Sequence, residues 1–385
     1  MAPPSVQSLF DWLVDGAPGA PTPMAVISRM GDELRATGVP IDRISAFVRT
    51  LHPAIVGRGF FWQPGEAVRV QENPWSGLET DEYKRSAAAR VQTEGVEVRV
   101  RLGVDQTSYS GLDGLAKEGF TDYLIAPLTF MGGSTHSISF ATKAAGGFTE
   151  EHLTALRAVV RPLCRVAETL ALMRTAVNIL NTYVGRDAGD RILKGKIQRG
   201  DTESIRCVIW FSDLRGFTSL SGERTPAEII SVLNQVFDCQ VPHIERHGGE
   251  VLKFMGDGML AIFPITEAVA AAAARAVEAT REANASLDAL NAGRAKVNEP
   301  ALRFGIALHV GEVAYGNIGG ASRLDFTAIG PSVNLASRIE GLTGKLEKRV
   351  LLSEALAKDC PAPTRAVGRF ELKGVAGEQQ VYELA

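Results

Sequence analysis

The sequence predicts an α+β protein of more than one domain, on three observations. From residue 203 onward, strand-like and helix-like apolar patterns follow one another in the order β-α-β-β-α-β. That order is the one of a ferredoxin-like sheet, here with extensions. A different mixture of helix and strand fills residues 25–160, and a long helical segment joins the two halves. The 385 residues suffice for two or three hydrophobic cores.

Residues 1–24 are rich in Pro, Gly and Ala and predict a flexible arm. The arm lacks a basic n-region and a sustained apolar run, so it does not read as a signal peptide. No apolar stretch in the chain reaches the ~20 residues that span a bilayer, and the expected location is cytoplasmic. "MAVISRMGDELRATG" has helical spacing, whereas "RISAFVRTLH", "GRGFFWQ", "VEVRVRL", "DYLIAPLTF" and "STHSISFAT" read as strands. "FTEEHLTALRAVVRPLCRVAETLALM" reads as a helix with Thr149 as N-cap and two acids in its first turn. Pro162 is expected to kink it.

Within that helix Leu163, Val166, Leu170, Met173, Val177, Leu180 and Val184 alternate spacings of three and four. This is an a/d stripe held for three heptads, which predicts a parallel dimer stalk as the first part of a coiled-coil and transducer linker over 163–202; a helix packed on its own domain would show the same stripe. "YVGRDAGDRILKGKIQRGD" after it reads as a mobile, charged connector. Next come the strand "IRCVIWFSD" and the helix "TPAEIISVLNQVFDCQVPHIERHG". That helix carries a capping box, with Thr225 as N-cap, Pro226 at N1 and Glu228 at N3; Pro242 late in it is irregular. "GEVLKFM" and "MLAIFP" are two strands around a Gly-Asp-Gly turn. A long alanine-rich helix (266–292), the strand region "LRFGIALHVGEVAYGNIG", the helix "SVNLASRIEGL" and the hairpin "RFELKGVAGEQQVYEL" complete the chain.

Formal net charge is −3 and pI about 6.1. No global basic field therefore favours nucleic acid or an anionic membrane. The four cysteines (Cys164, Cys207, Cys239, Cys360) form no CxxC pair, which favours reduced thiols.

Two carboxylates carry the chemistry. Asp213 ends an apolar strand in "VIWFSDLRGFTSL", and Asp257 tips a hairpin. A buried carboxylate without a partner is costly. In a β-α-β-β core the first and third strands are commonly neighbours, so the two tips can converge. Paired acids beside glycine turns suit Mg²⁺, which keeps phosphate oxygens as further ligands. The turn 215–218 could then offer backbone N–H groups to a triphosphate. An acid that caps a turn or pairs with Arg215 fits the same residues.

"FSDLRGFTSL", "GGEVLKFMGDGMLAIF", "FTAIGPSVNLASRIE" and "FELKGVAGEQQVYEL", in order over 203–385, resemble the catalytic domain of class III nucleotidyl cyclases. The resemblance implies that Asp213, Asp257 and the Leu214 backbone carbonyl bind two Mg²⁺ or Mn²⁺ ions per site. It implies that Lys253 and Thr327 read adenine, that Asn334 and Arg338 orient ribose and stabilise the transition state, and that Lys373 contacts the terminal phosphates. Gly216, Phe217 and Thr218 form the phosphate turn. It further implies ATP as substrate, cyclic AMP and pyrophosphate as products, and a homodimer. Each of its two sites takes the aspartates from one chain and the remaining residues from the other.

Asn334 and Arg338 lie one helical turn apart and project from one face. A lysine ammonium only donates and so suits the unprotonated N1 of adenine. Guanylate cyclases of this family carry Glu and Cys where this chain has Lys253 and Thr327. The alternatives are a guanylate cyclase and a silent nucleotide-binding module. Thr327 also resembles the subclass stimulated by bicarbonate.

The order helix, several strands, exit helix over 25–162 resembles a GAF-type sensor domain, or a PAS-type one, with an unknown small-molecule ligand. Trp62, Trp75 and Phe61 could line its pocket or simply pack. His243 and His247, four apart on a helix, could be half a metal site but find a simpler reason at a helix C-terminus. "GLTGKLEK" has its glycines too close for a phosphate loop. "GGEV" is also a signature of diguanylate cyclases, but "NLASR" downstream does not fit them.

Overall fold

The computed structural model describes residues 4–106 and 108–384. The chain divides into two compact units, Met1–Ile179 and Leu180–Ala385.

The arm expected over residues 1–24 is a packed part of the first unit; its first three residues lie outside those described. Helix α1 (Gln7–Val14) and the turn before it bury Val6, Leu9, Trp12 and Leu13. Those positions share one helical face, a pattern masked by the Pro, Gly and Ala around it. Trp12 Nε1 donates to the Pro18 carbonyl at 3.0 Å and holds the following segment against the helix. Helix α2 (Pro23–Ala36) starts at Thr22, whose hydroxyl accepts from the Ala25 N–H.

Strands β1 (Arg43–Arg49), β2 (Ile55–Trp62) and β3 (Arg69–Pro74) precede two short helices, α3 (Asp81–Lys84) and α4 (Ala87–Glu94). Then come β4 (Val98–Arg101), α5 (Leu112–Lys117), β5 (Asp122–Thr129) and β6 (Thr135–Thr142). The strands form an antiparallel sheet in the order β3-β2-β1-β6-β5-β4. Alternate residues of β5 serve opposite faces. Leu124, Ala126 and Leu128 join the core with α1, α2 and the next helix, and Ile125 joins the one with α4 and α5. The five strands expected are all present. Edge strand β3 was not expected, because Arg69, Gln71 and Glu72 give it no apolar alternation. Trp62 is core, whereas Trp75 is exposed and Phe61 lies under the Arg69 guanidinium.

Helix α6 (Glu150–Val184) runs unbroken through Pro162. The apolar stripe on it divides. Leu163, Val166 and Leu170 pack into the first unit's core, so this part of the stripe is no dimer seam. Beyond it Met173 is exposed, Val177 and Leu180 are half-buried, and Val184 packs against the second unit's core.

The expected mobile connector is anchored within the second unit. Helix α7 (Arg186–Leu193) receives Glu250 at its N-terminus, where Oε1 accepts from the Asp187 N–H at 3.0 Å. Its Ala188 is fully buried, and Arg191 pairs with both Asp187 and Glu203 and lies over the Tyr315 ring. Burial is the main reason Glu250's carboxyl is raised above the ordinary range.

Strand β7 (Thr202–Leu214) leads to α8 (Phe217–Glu223), α9 (Pro226–Asp238) and α10 (Val241–Arg246). The expected single helix therefore breaks. Its capping box at Thr225 and Glu228 is present, but α9 stops before Cys239, and Pro242 opens α10 in a first turn, where no N–H partner is needed. The hairpin β8 (Glu250–Met255) and β9 (Gly258–Pro264) precedes α11 (Val269–Lys296). Strands β10 (Phe304–Gly319) and β11 (Leu324–Ile329), helix α12 (Pro331–Lys345) and strand β12 (Val350–Ser353) follow. Helix α13 (Glu354–Ala357) and strands β13 (Thr364–Glu371) and β14 (Glu378–Leu384) close the unit.

The sheet order is β13-β14-β12-β10-β7-β9-β8, with β11 on β10. The four strands at one end, β10-β7-β9-β8, have the adjacency expected of a β-α-β-β-α-β core, first strand beside third and fourth. Among the described residues no helix is long and apolar enough to cross a membrane.

Candidate active site

Strand register brings the two aspartates together. On β7, Asp213 stands opposite Gly258 of β9, and Gly258 closes the hairpin whose turn is Gly256-Asp257. The two carboxyl groups come within hydrogen-bonding reach of each other. Burial first, and then the charge of Asp257, push the Asp213 carboxyl up to about 6. Arg215 does not neutralise the pair: its guanidinium donates to the Lys348 carbonyl instead. Among the described residues neither aspartate forms an ion pair.

A half-buried, uncompensated acidic pair is an arrangement that a hard cation relieves. Among the described residues no group of three or more His, Cys, Asp or Glu could hold a metal ion. A donor set of two carboxylates suits Mg²⁺ or Mn²⁺, which complete their shell with phosphate oxygens and water. The residues present fit the ions that the family resemblance implies.

The turn after Asp213 leaves backbone N–H groups without side-chain partners. Gly216 has φ +73°, a left-handed value that a side chain disfavours, and it opens α8, where no side chain caps the first N–H groups. Phe217 turns its ring into the core, so only its backbone faces the turn, whereas Thr218 is exposed. Leu214 is buried between this turn and Asp213.

Lys253 on β8 pairs with Asp325 on β11. Thr327, two residues further on β11, is buried, so the two residues expected to read the base gather where β8 meets β11. Asp325 escaped sequence reasoning. Its signal was its place two residues before Thr327 on a strand, on the same face.

Helix α12 separates two sets of residues. Ala336, Ile339, Glu340 and Thr343 are buried, while Asn334 and Arg338 are exposed. Among the described residues neither of those two side chains, nor that of Lys373 in the β13–β14 turn, makes a hydrogen bond or ion pair. Glu340 was also missed, although a charged residue on the apolar face of an amphipathic helix was its signal. Burial first, and then Asp213, push its carboxyl up to about 7, and its Oε1 accepts from the Thr343 hydroxyl at 3.1 Å. Glu340 thus lies on the Asp213 side of α12. Arg338, two residues earlier and about 200° around the helix, points away from the acids of its own chain.

The close approach of α12 depends on Gly305, which pairs with Asp213 across β7 and β10. A Cβ there would collide with the Thr343 hydroxyl and stand 2.8 Å from Glu340 Oε1. Gly305→Ala is expected to cost about 1–3 kcal/mol through overpacking, read as a lower urea midpoint with an unchanged slope.

His243 and His247 are no metal site: both contact Glu282 of α11, at 2.8 and 3.3 Å, beside Arg246.

Residues 201–385 match the adenylate and guanylate cyclase catalytic domain. An adenylate cyclase of Anabaena cylindrica is 35% identical over 169 residues, 43% of this chain and 33% of its own length. Adenylate cyclase 1 of Rhizobium meliloti (strain 1021) is 30% identical over 176 residues, 45% of this chain and 26% of its own. The chain thus spans a third or less of these curated relatives. A bacterial light-regulated adenylyl cyclase of known structure is similar in fold, with a TM-score of 0.50 at 18% identity over 71% of this chain and 87% of its own.

Proposed function

We propose that the protein, whose residues 201–385 match the adenylate and guanylate cyclase catalytic domain, converts ATP to 3′,5′-cyclic AMP and pyrophosphate at two shared sites of a homodimer. The observation that carries this reading is the division of α12: Arg338 and Asn334 face solvent unpaired, turned away from Asp213 and Asp257. A second chain that presented its own α12 would complete each site, and a two-fold axis would make two equal sites.

In each site Asp213 and Asp257, with the Leu214 carbonyl, would hold Mg²⁺ or Mn²⁺. Bound there, two ions supply the positive charge that acidifies the ribose 3′-hydroxyl and neutralises the triphosphate. The open N–H groups after Gly216 receive the β- and γ-phosphates. Asn334 of the other chain orients the ribose, and Arg338 stabilises charge developing on the α-phosphate, the role for which its planar fork is suited. Lys373 meets the terminal phosphates, and its charge favours departure of pyrophosphate. Displacement of pyrophosphate by the 3′-hydroxyl is phosphoryl chemistry, in which positioning and charge stabilisation supply most of the acceleration.

Lys253 donates to adenine N1, and the Thr327 hydroxyl accepts from the 6-amino group. Asp325 is an acceptor that could serve guanine instead. Paired with Lys253, it acts as the lysine's counter-ion and holds the ammonium in the base pocket. The test is product formation from ATP and, separately, GTP, with each metal. Cyclic AMP with little cyclic GMP is expected, and no cyclic product from either nucleotide overturns the reading. In Lys253→Glu with Thr327→Cys, ATP turnover is expected to fall by at least about thirtyfold while the GTP-to-ATP ratio rises, the cost of mispairing buried polar groups.

The first unit is read as a GAF-like or PAS-like sensor domain that regulates this activity. Its sheet carries a separate apolar core on each face, which leaves room for a ligand site distinct from the catalytic one. The part of the stripe on α6 beyond the first unit's core, Met173, Val177 and Leu180, is read as the dimer stalk. Four free cysteines support a reducing, cytoplasmic setting.

A further inference from the structure

A cavity of about 80 Å³ lies between α2, α6 and the sheet of the first unit. Ile27, Phe60, Ile138, Leu163 and Leu170 contribute to its apolar wall, and Arg58 and Arg174 also line it. Trp62, Trp75 and Phe61 are not among its lining residues.

Arg58 is unusual for where it stands. The β1–β2 and β2–β3 registers set it opposite Val48 and Glu72, on the face of β2 that also carries Phe60. Its side chain is 17% exposed, so the guanidinium rises from an apolar wall. Both of its hydrogen bonds, 3.0 and 2.7 Å, go to one oxygen, Glu72 Oε1, which leaves part of its donor fork unused. Arg174 of α6, on the same cavity, makes no hydrogen bond or ion pair among the described residues. Glu72 pairs with Arg58 alone and Arg174 adds a second guanidinium to the lining, so this edge of the cavity keeps a net positive charge. Beside it, Thr50 accepts from Asn178 Nδ2 at 3.1 Å and keeps its own hydroxyl hydrogen to donate.

An apolar cavity stays dry and favours a hydrocarbon body, and unused guanidinium donors favour a planar anion that accepts two hydrogen bonds. We propose that this cavity binds a small amphiphilic carboxylate. Its hydrocarbon part lies against Phe60 and Leu170, and its head sits between Arg58 and Arg174. Because α6 forms one wall and leads on into the second unit, occupancy changes the rate of cyclisation; that consequence rests on the sensor reading above, whereas binding does not.

The test is calorimetric titration of the full chain with sodium octanoate, with acetate and 1-octanol as comparators. Saturable one-to-one binding is expected, at least about tenfold tighter than either comparator, since each comparator lacks one half of the recognition. Arg174→Gln, at an exposed position, is expected to weaken octanoate about tenfold. Ala171→Phe, which fills the cavity, should abolish binding. No saturable heat with octanoate overturns the proposal, as does equal affinity for 1-octanol or an unchanged affinity in both Arg174→Gln and Arg58→Gln. Binding with an unaltered ATP turnover supports the site and overturns its regulatory role. Binding by a chain that makes no cyclic nucleotide supports the site and instead overturns the cyclase reading.

Discussion

Replacement of Asp213 by Asn is expected to abolish cyclic nucleotide formation and, in the metal-free protein, to raise the melting temperature. The two effects share one cause. Asp213 and Asp257 stand carboxyl to carboxyl without an ion pair, and the Asp213 carboxyl is raised to about 6. A carboxyl raised in the folded state makes no stability difference while it is protonated in both states. Its penalty grows as pH rises through the unfolded value near 4 and is complete above the folded value near 6. At pH 7.5 the acidic form therefore costs stability.

Asparagine removes the charge, keeps an acceptor for the Leu214 N–H and offers Nδ2 to Asp257. Discounted for partial exposure, the gain is about 1 kcal/mol, or roughly 2–4 °C for a unit of this size. By pH 4.5, between the unfolded and folded values, it should shrink to roughly a third, because the folded carboxyl is by then protonated while the unfolded one is still mostly ionised. Turnover should fall by at least about a thousandfold, because a neutral amide oxygen is a much weaker ligand than a carboxylate for Mg²⁺ and does not offset its charge. Thermal unfolding in chelator at the two pH values, beside a product assay, checks both parts. A melting temperature lower in Asp213→Asn at pH 7.5 would show that the pair is structural rather than poised for a cation. In the unsubstituted protein the same titration predicts that metal affinity and turnover decline as pH falls through about 6.

Mixing Asp213→Ala and Arg338→Ala chains is expected to restore activity that neither has alone. If each site takes its aspartates from one chain and its Asn334 and Arg338 from the other, a heterodimer has one site with both defects and one with none. Random pairing at equal concentrations makes half of the dimers mixed, each with one of two sites intact. Recovery should approach roughly one quarter of the unsubstituted rate. The single variants should each lie near background, since loss of either group removes charge stabilisation at the transferring phosphate. Absence of recovery in a verified heterodimer would return all the residues to one chain, against the outward orientation of Arg338 on α12.

What the sequence determined by itself is local or carried by motif. The strand ending at Asp213, the Gly-Asp turn at 256–257, the capping box at Thr225 and the four motifs in order needed only neighbours along the chain. The β-α-β-β-α-β order then implied that the first and third strands lie side by side, and Asp213 indeed meets the Asp257 turn across Gly258. Composition misled where it masked a pattern: the Pro and Gly around residues 6–13 hid a helical face, so a packed segment read as a loose arm. Pro242 looked like an irregularity inside one helix because pattern alone does not say where a helix stops and another begins.

What only the tertiary structure decided is which side chains far apart in sequence share a surface. The a/d stripe on α6 was visible, but its division between core at Leu163–Leu170 and solvent at Met173 depends on where the first unit's sheet ends. Asp325 as partner of Lys253, Glu340 behind Asp213, and Arg58 inside an apolar wall are all consequences of strand register and helix packing. Burial then sets their electrostatics. The same carboxylate in water would titrate near 4; on the buried face of α12, burial and then the nearby Asp213 push Glu340 up to about 7. A sequence lists the charges, and the fold assigns each its neighbours and its exposure to water, on which its chemistry depends.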